Sequence, residues 1–287
     1  RRQNLADGDG SEAEIKLAAR SAGKYLQKAL ELQPEQSLQF YNNTAAQLYE
    51  MEEYEQAIRI LEAGLQRFPI GEDAVPTQNQ LVALGGIKDA YREQEEWGMV
   101  QQTVERLLDI ENRQNEKRSA QGKQEIKNVN YRRDYALALE EQRKWEEALD
   151  YWREAKGLAE NMEGAEGNEL KFTATLHLAR CYAQVGGADN VKHGYKVIAW
   201  YLLSNDDWLL NKDWASQVEE LFANHFSDHW SDLADFTFQL VQADINLLRK
   251  QTSREIIVGL TDRRWPDRKD QLQKLLDKAE VGLGTGQ

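Results

Sequence analysis

The chain has 287 residues, and 36 Lys and Arg stand against 49 Asp and Glu, for a net charge of −13. That balance argues against a general nucleic-acid binder, which must set cations against phosphate. A single cysteine excludes an internal disulfide and makes a reducing, intracellular compartment the expectation, the cytoplasm by default with the nucleus left open. No apolar run reaches the roughly 18 residues of a membrane span, so no membrane partner is expected. The chain opens on Arg1-Arg2, not Met, which reads as a fragment or a processed product.

Pro occurs only at 34, 69, 76 and 266. The stretch between the last two is filled by Ala, Leu, Glu, Gln, Lys and Arg, so long helices are expected there. Apolar residues recur at steps of three and four, as in Tyr54, Ala57, Ile58, Leu61 and Leu65, and again in Trp145, Ala148, Leu149, Trp152 and Ala155. In chain order, helices are predicted near 11–32, 37–50, 54–67, 77–95, 97–116, 122–143, 145–161, 168–185, 189–203, 207–224, 229–250 and 267–281. Ile256-Ile257-Val258 is the one clear strand-like run.

The segments repeat. Glu53-Tyr54-Glu55-Gln56-Ala57 matches Lys144-Trp145-Glu146-Glu147-Ala148, an aromatic followed three residues later by Ala at a helix start. Glu96-Trp97 opens a similar helix with Val100 in place of Ala, and a fourth copy near Asp189–Val191 keeps the turn without the aromatic. The preceding helices carry a small residue and then a large one: Ala45 and Leu48, Ala136 and Leu139, Ala179 and Tyr182. Small residues let two helices approach closely. Leu30–Pro34 and Leu65–Pro69 each end a helix on Pro.

This pattern resembles the tetratricopeptide (TPR) repeat, with units near 38–69, 81–112 and 129–160 and a weaker one at 172–203. Tyr54 to Trp97 spans 43 residues and Trp97 to Trp145 spans 48, against about 34 in the usual repeat. The longer period is similar to kinesin light chain repeats, whose Asn-containing first helix Tyr41-Asn42-Asn43-Thr44-Ala45 resembles; HEAT-type helix pairs share the spacing. The resemblance implies an all-α, right-handed α-α solenoid over residues 1–203. Five of the eight Trp (Trp200, Trp208, Trp214, Trp230 and Trp265) fall near or beyond its end. Residues 204–287 are therefore expected to be a helical C-terminal cap, with a small separate domain as the alternative.

In a stack of helix pairs the first helix of each lines the concave side. Exposed positions there predict a partner-binding groove of Asn42, Asn43, Tyr49, Asp89, Arg92, Arg133, Asp134, His177 and Arg180. Asn can hold a peptide backbone and Arg a carboxylate; a solvated, ligand-free face is the alternative. The family's chaperone-tail clamp is not matched: its positions carry Asn42 and Ala46, then Asn130 and Asp134, with Gly86 in the second unit. A stretch from Arg113 to Arg133 holds seven cations against Glu116 and Glu125, net +5. It reads either as a contact for acidic partners or RNA or as a solvated loop. No aromatics are interleaved for base stacking.

Enzyme motifs are not found: no Gly-rich phosphate loop, no nucleophile elbow. His225 and His229 would share a face at i and i+4 if the segment were helical, with Asp232 as a third ligand, but Phe226 stands where the zinc motif needs Glu. A helix junction capped by Ser227 or Asp228 is the other reading. Cys181 reads as a small core residue. The expectation is a non-enzymatic protein-interaction scaffold without cofactor. The alternatives are a sensor or regulatory region of a larger protein, or an enzyme with a site in the C-terminal part.

Overall fold

The computed structural model describes residues 21, 23–25, 27–29, 32, 36–71, 74–204 and 212–281. The expected helix at 11–32 lies largely outside these. Among the described residues twelve α-helices follow from Leu38 and no strand occurs. They are α1 (Leu38–Glu50), α2 (Tyr54–Arg67), α3 (Gln78–Glu93), α4 (Trp97–Ala120), α5 (Val129–Glu141), α6 (Trp145–Ala159), α7 (Gly164–Val185), α8 (Ala188–Ser204), α9 (Lys212–His225), α10 (Trp230–Ala243), α11 (Gln251–Arg264) and α12 (Lys269–Val281). The chain divides into two compact units, 1–142 and 143–287. The expected repeat-to-cap boundary near 203 lies inside the second.

In the first unit each helix packs on the next, and α1 also meets α3. This is the TPR-like arrangement of hairpins stacked in sequence. The small residues that the repeat places at the crossings are buried: Ala45, Ala83 and Ala136 on the first helices, Ala57 on α2. Gly64 shows how tight the α1/α2 crossing is, because a Cβ there would lie 3.0 Å from both Cβ and Cγ of Tyr41. Thr77 and Gln80 form a capping box at the start of α3. Gln80 Nε2 also donates to the carbonyls of Phe68 and Pro69, which ties the end of α2 to α3.

In the second unit α7 packs on α6 and α8, and α9 returns to α7. A core of Phe172, Tyr195, Ile198, Phe222, Phe226 and Trp265 joins α7 and α8 to the helices that follow. The Trp265 indole N–H donates to the Trp230 carbonyl at 2.9 Å, so this buried ring leaves no polar group unpaired. Trp200 is exposed. Trp208 and the side chain of Trp214 lie outside the described residues.

Two boundaries and one local preference differ most from the expectation. The predicted helix 122–143 starts only at Val129: Asn128 caps it by accepting from Asn130 N at 2.9 Å, and residues 123–128 form a loop. The predicted helix 229–250 ends at Ala243 and continues as a 3-10 turn, Ile245–Arg249, started by the Asp244 side chain. The strand-like run Ile256-Ile257-Val258 is helical, inside α11, where Ser253, Ile257, Leu260 and Thr261 form the buried stripe.

Candidate functional site

The first helices of the first unit, α1 and α3, leave a cavity of about 360 Å³ between them, backed by α2. Its walls are small or aliphatic because helix crossing requires small residues there: Ala45, Ala57 and Leu61 are buried, and Gly86 lies against Leu61. A Cβ on Gly86 would come to 2.9 Å from Leu61 Cδ1. Ala46, Val82 and Glu50 are exposed at the mouth.

Of the residues read from the sequence as a groove, the structure brings Asn42, Tyr49, Asp89 and Arg92 together around this cavity. Asn42 is buried, contrary to its reading as an exposed position. Its amide nitrogen donates to the Asn79 carbonyl at 2.9 Å, which fixes the orientation of the amide. The Oδ1 that this leaves is buried at the cavity wall and accepts no hydrogen bond. An acceptor in that condition costs about 1–3 kcal/mol in an empty cavity. The Tyr49 hydroxyl donates to the Glu93 carboxylate, and burial, then that bond, push its pKa up to about 12. It therefore stays protonated throughout the neutral range.

A line of alternating charges leads from this cavity toward α5. Arg92 pairs with Asp89 at 3.0 Å, Lys88 reaches Asp89 at 3.3 Å, and Lys88 also binds Asp134 on α5. Arg133 closes on the same carboxylate at 2.8 Å. Asp134, expected from helix spacing to be exposed, is buried, because two cations neutralise it there. Spacing alone does not single out Lys88. It stands one turn after Leu84 at the edge of the buried stripe, and a lysine in such a place calls for an acid partner. Asn43 is exposed and lies away from the cavity lining.

His177 and Arg180 belong to the second unit. His177 stacks on the buried Trp152 ring at 4.5 Å, and Arg180 lies over the Trp145 ring at 5.6 Å. The two histidines with ligand-like spacing are on different elements: α9 ends at His225, and His229 sits in a 3-10 turn, Ser227–His229, with no side-chain cap at Phe226. His225 Nδ1 is 3.3 Å from Gln184 Nε2, while His229 Nδ1 is 2.8 Å from Asp232. Burial, then the charge of Arg180, lowers the pKa of His225. No group of three His, Cys, Asp or Glu able to hold a metal is found among the described residues. Cys181 is fully buried. No described helix is long and apolar enough to cross a membrane.

No family model matches the sequence, and no curated protein matches it. Among solved structures the chain is similar to YrrB, whose crystal structure is described as that of a TPR protein with an unusual peptide-binding site. The identity is 15%, the TM-score 0.43, and the match covers 83% of this chain and 97% of that one. The TPR-like assignment of the fold stands on the hairpin packing described above.

Proposed function

We propose that the chain is a non-catalytic scaffold that binds a peptide or helical segment of another protein across α1 and α3, toward α5. The observation that carries this is the Asn42 Oδ1: a buried acceptor without a partner, in a cavity walled by Ala45, Ala57, Leu61 and Gly86. A protein ligand supplies both things the cavity lacks, an apolar side chain to fill it and an N–H to meet the acceptor. Arg92, held at 3.0 Å by Asp89, stands at the rim as a cation that a ligand carboxylate can recruit. In this reading residues 204–287 cap the repeats.

The test selects peptides from a random display library against the immobilised protein and measures their affinity by fluorescence polarisation. Ala46→Trp places a ring in the mouth of the cavity without touching the buried core, and should weaken the selected peptides about tenfold or more. Arg92→Ala should weaken those that carry an acidic residue. Peptides that bind the Ala46→Trp protein with unchanged affinity would overturn the assignment.

A further inference from the structure

The long repeat period has a structural consequence away from the groove. α4 has 24 residues where α2 has 14 and α6 has 15. The extra turns of α4, the segment before α3 and the loop before α5 enclose a second cavity of about 410 Å³. Leu107 and Ile110 lie at its base, with the half-buried ring of Tyr131 beside them.

The loop that closes this cavity is fixed. Asn115, buried in α4, binds both sides of the Ile126 backbone: its Nδ2 donates to the Ile126 carbonyl and its Oδ1 accepts from the Ile126 amide, each at 2.8 Å. Glu111, also buried, accepts from Asn128 N at 2.6 Å and pairs with Arg132. Arg118 Nε donates to the Gln124 carbonyl at 2.8 Å. With its backbone clamped from below, Ile126 holds its side chain outward at 58% exposure, and Val75 faces the same cavity at 69%. Around these two apolar residues stand Lys117, Arg118 and Lys123. Among the described lining residues the one carboxylate, Glu111, is buried against Arg132.

We propose that this cleft is a second docking site, for a protein segment that pairs aliphatic side chains with acidic ones. Charge complementarity selects the occupant. In a chain of net charge −13 the cleft is lined by Lys117, Arg118 and Lys123, while Arg113, Arg132 and Arg133 of the same stretch pair with Asp109, Glu111 and Asp134. The apolar base and the two outward aliphatic side chains suit a side chain inserted between the charges. They offer nothing to a phosphate backbone, and the single tyrosine is no platform for stacked bases. The site is separate from the α1/α3 cavity and stands whether or not that cavity binds peptide.

The test uses the full chain and three labelled probes: a poly-Glu peptide interrupted by Leu, poly-Glu alone, and single-stranded oligo(U). The Leu-containing acidic peptide should bind best. Ile126→Ser and the pair Lys117→Glu/Lys123→Glu should each weaken it about tenfold, the size of loss typical of an interface anchor. Ala46→Trp should leave it unchanged, which separates this site from the groove. All three are surface changes, and an unaltered helical circular dichroism spectrum verifies folding. Equal binding of poly-Glu with and without Leu, preference for oligo(U), or insensitivity to Ile126→Ser would each overturn the proposal.

Discussion

Glu52, Glu95 and Arg143 hold positive φ angles of 61°, 57° and 61°, each two residues before the aromatic that opens a second helix. At the first two of these turns the hydrogen bonds are those of a Schellman motif: Glu53 N to Leu48 O with Glu52 N to Tyr49 O, and Glu96 N to Tyr91 O with Glu95 N to Arg92 O. The repeat is thus written in the backbone as well as in the aromatic and alanine positions. The side-chain part was legible in the sequence. The backbone part was not, because residues other than Gly or Asn rarely take the left-handed region, at a cost of roughly 1–2 kcal/mol. Glu95→Gly should therefore raise the free energy of unfolding by about 1 kcal/mol in denaturant titration. Gly122, at φ 69° in the same motif after α4, is the converse. Gly122→Ala should lower stability by a similar amount. Residues of the candidate site were legible to the extent that they face a cavity: Tyr49, Asp89 and Arg92 were found by counting helix positions. The interior placement of Asn42 and Asp134 was not, because burial of a polar residue depends on a partner distant in sequence, here Asn79 and Lys88.

At the scale of elements, helices with an apolar stripe were predicted closely, α1 and α2 within a residue or two. The misses share a cause. Residues 123–127 are mostly helix formers by composition yet have no stripe to bury, and side chains of α4 hold the backbone there as a loop instead. Residues 256–258 are β-branched, and the burial of Ile257 on the packed face of α11 overrides that local preference. The Glu111–Arg132 pair is one of the links between α4 and α5, beside the Tyr135 hydroxyl that donates to Glu105 at 2.8 Å: both side chains of the pair are buried, and Arg132 Nη1 also approaches the Asn128 carbonyl at 3.4 Å. Removing one charge strands the other. Arg132→Met should destabilise the protein by about 3–5 kcal/mol, and adding Glu111→Leu should recover a large part of that loss. A double-mutant cycle by chemical denaturation measures the coupling; additive losses would show that the two side chains do not act as a pair.

For the whole molecule, periodicity predicted the all-α stacked architecture, since each hairpin depends mainly on its neighbours. It did not show how the groove candidates would be distributed. The structure gathers four around one cavity in the first unit and leaves His177 and Arg180 in the second. Net charge acts at this scale too. At −13 the chain repels itself when folded, and monovalent salt near 0.15 M shortens the screening length to about 8 Å. Thermal melts should then shift upward on moving from low salt to that concentration, by about 2–4 °C if screening recovers roughly 1 kcal/mol. The acidic probe of the α4 cleft should weaken over the same change.

One position on α3 suits the attachment of a reporter. Gly85 shares the face of Val82 and Asp89, and a Cβ built there meets nothing within 4 Å. The native thiol, Cys181, is sealed in the interior. A cysteine engineered at residue 85 would therefore offer reagents the one accessible thiol, and an environment-sensitive dye coupled to it would sit beside the mouth of the α1/α3 cavity.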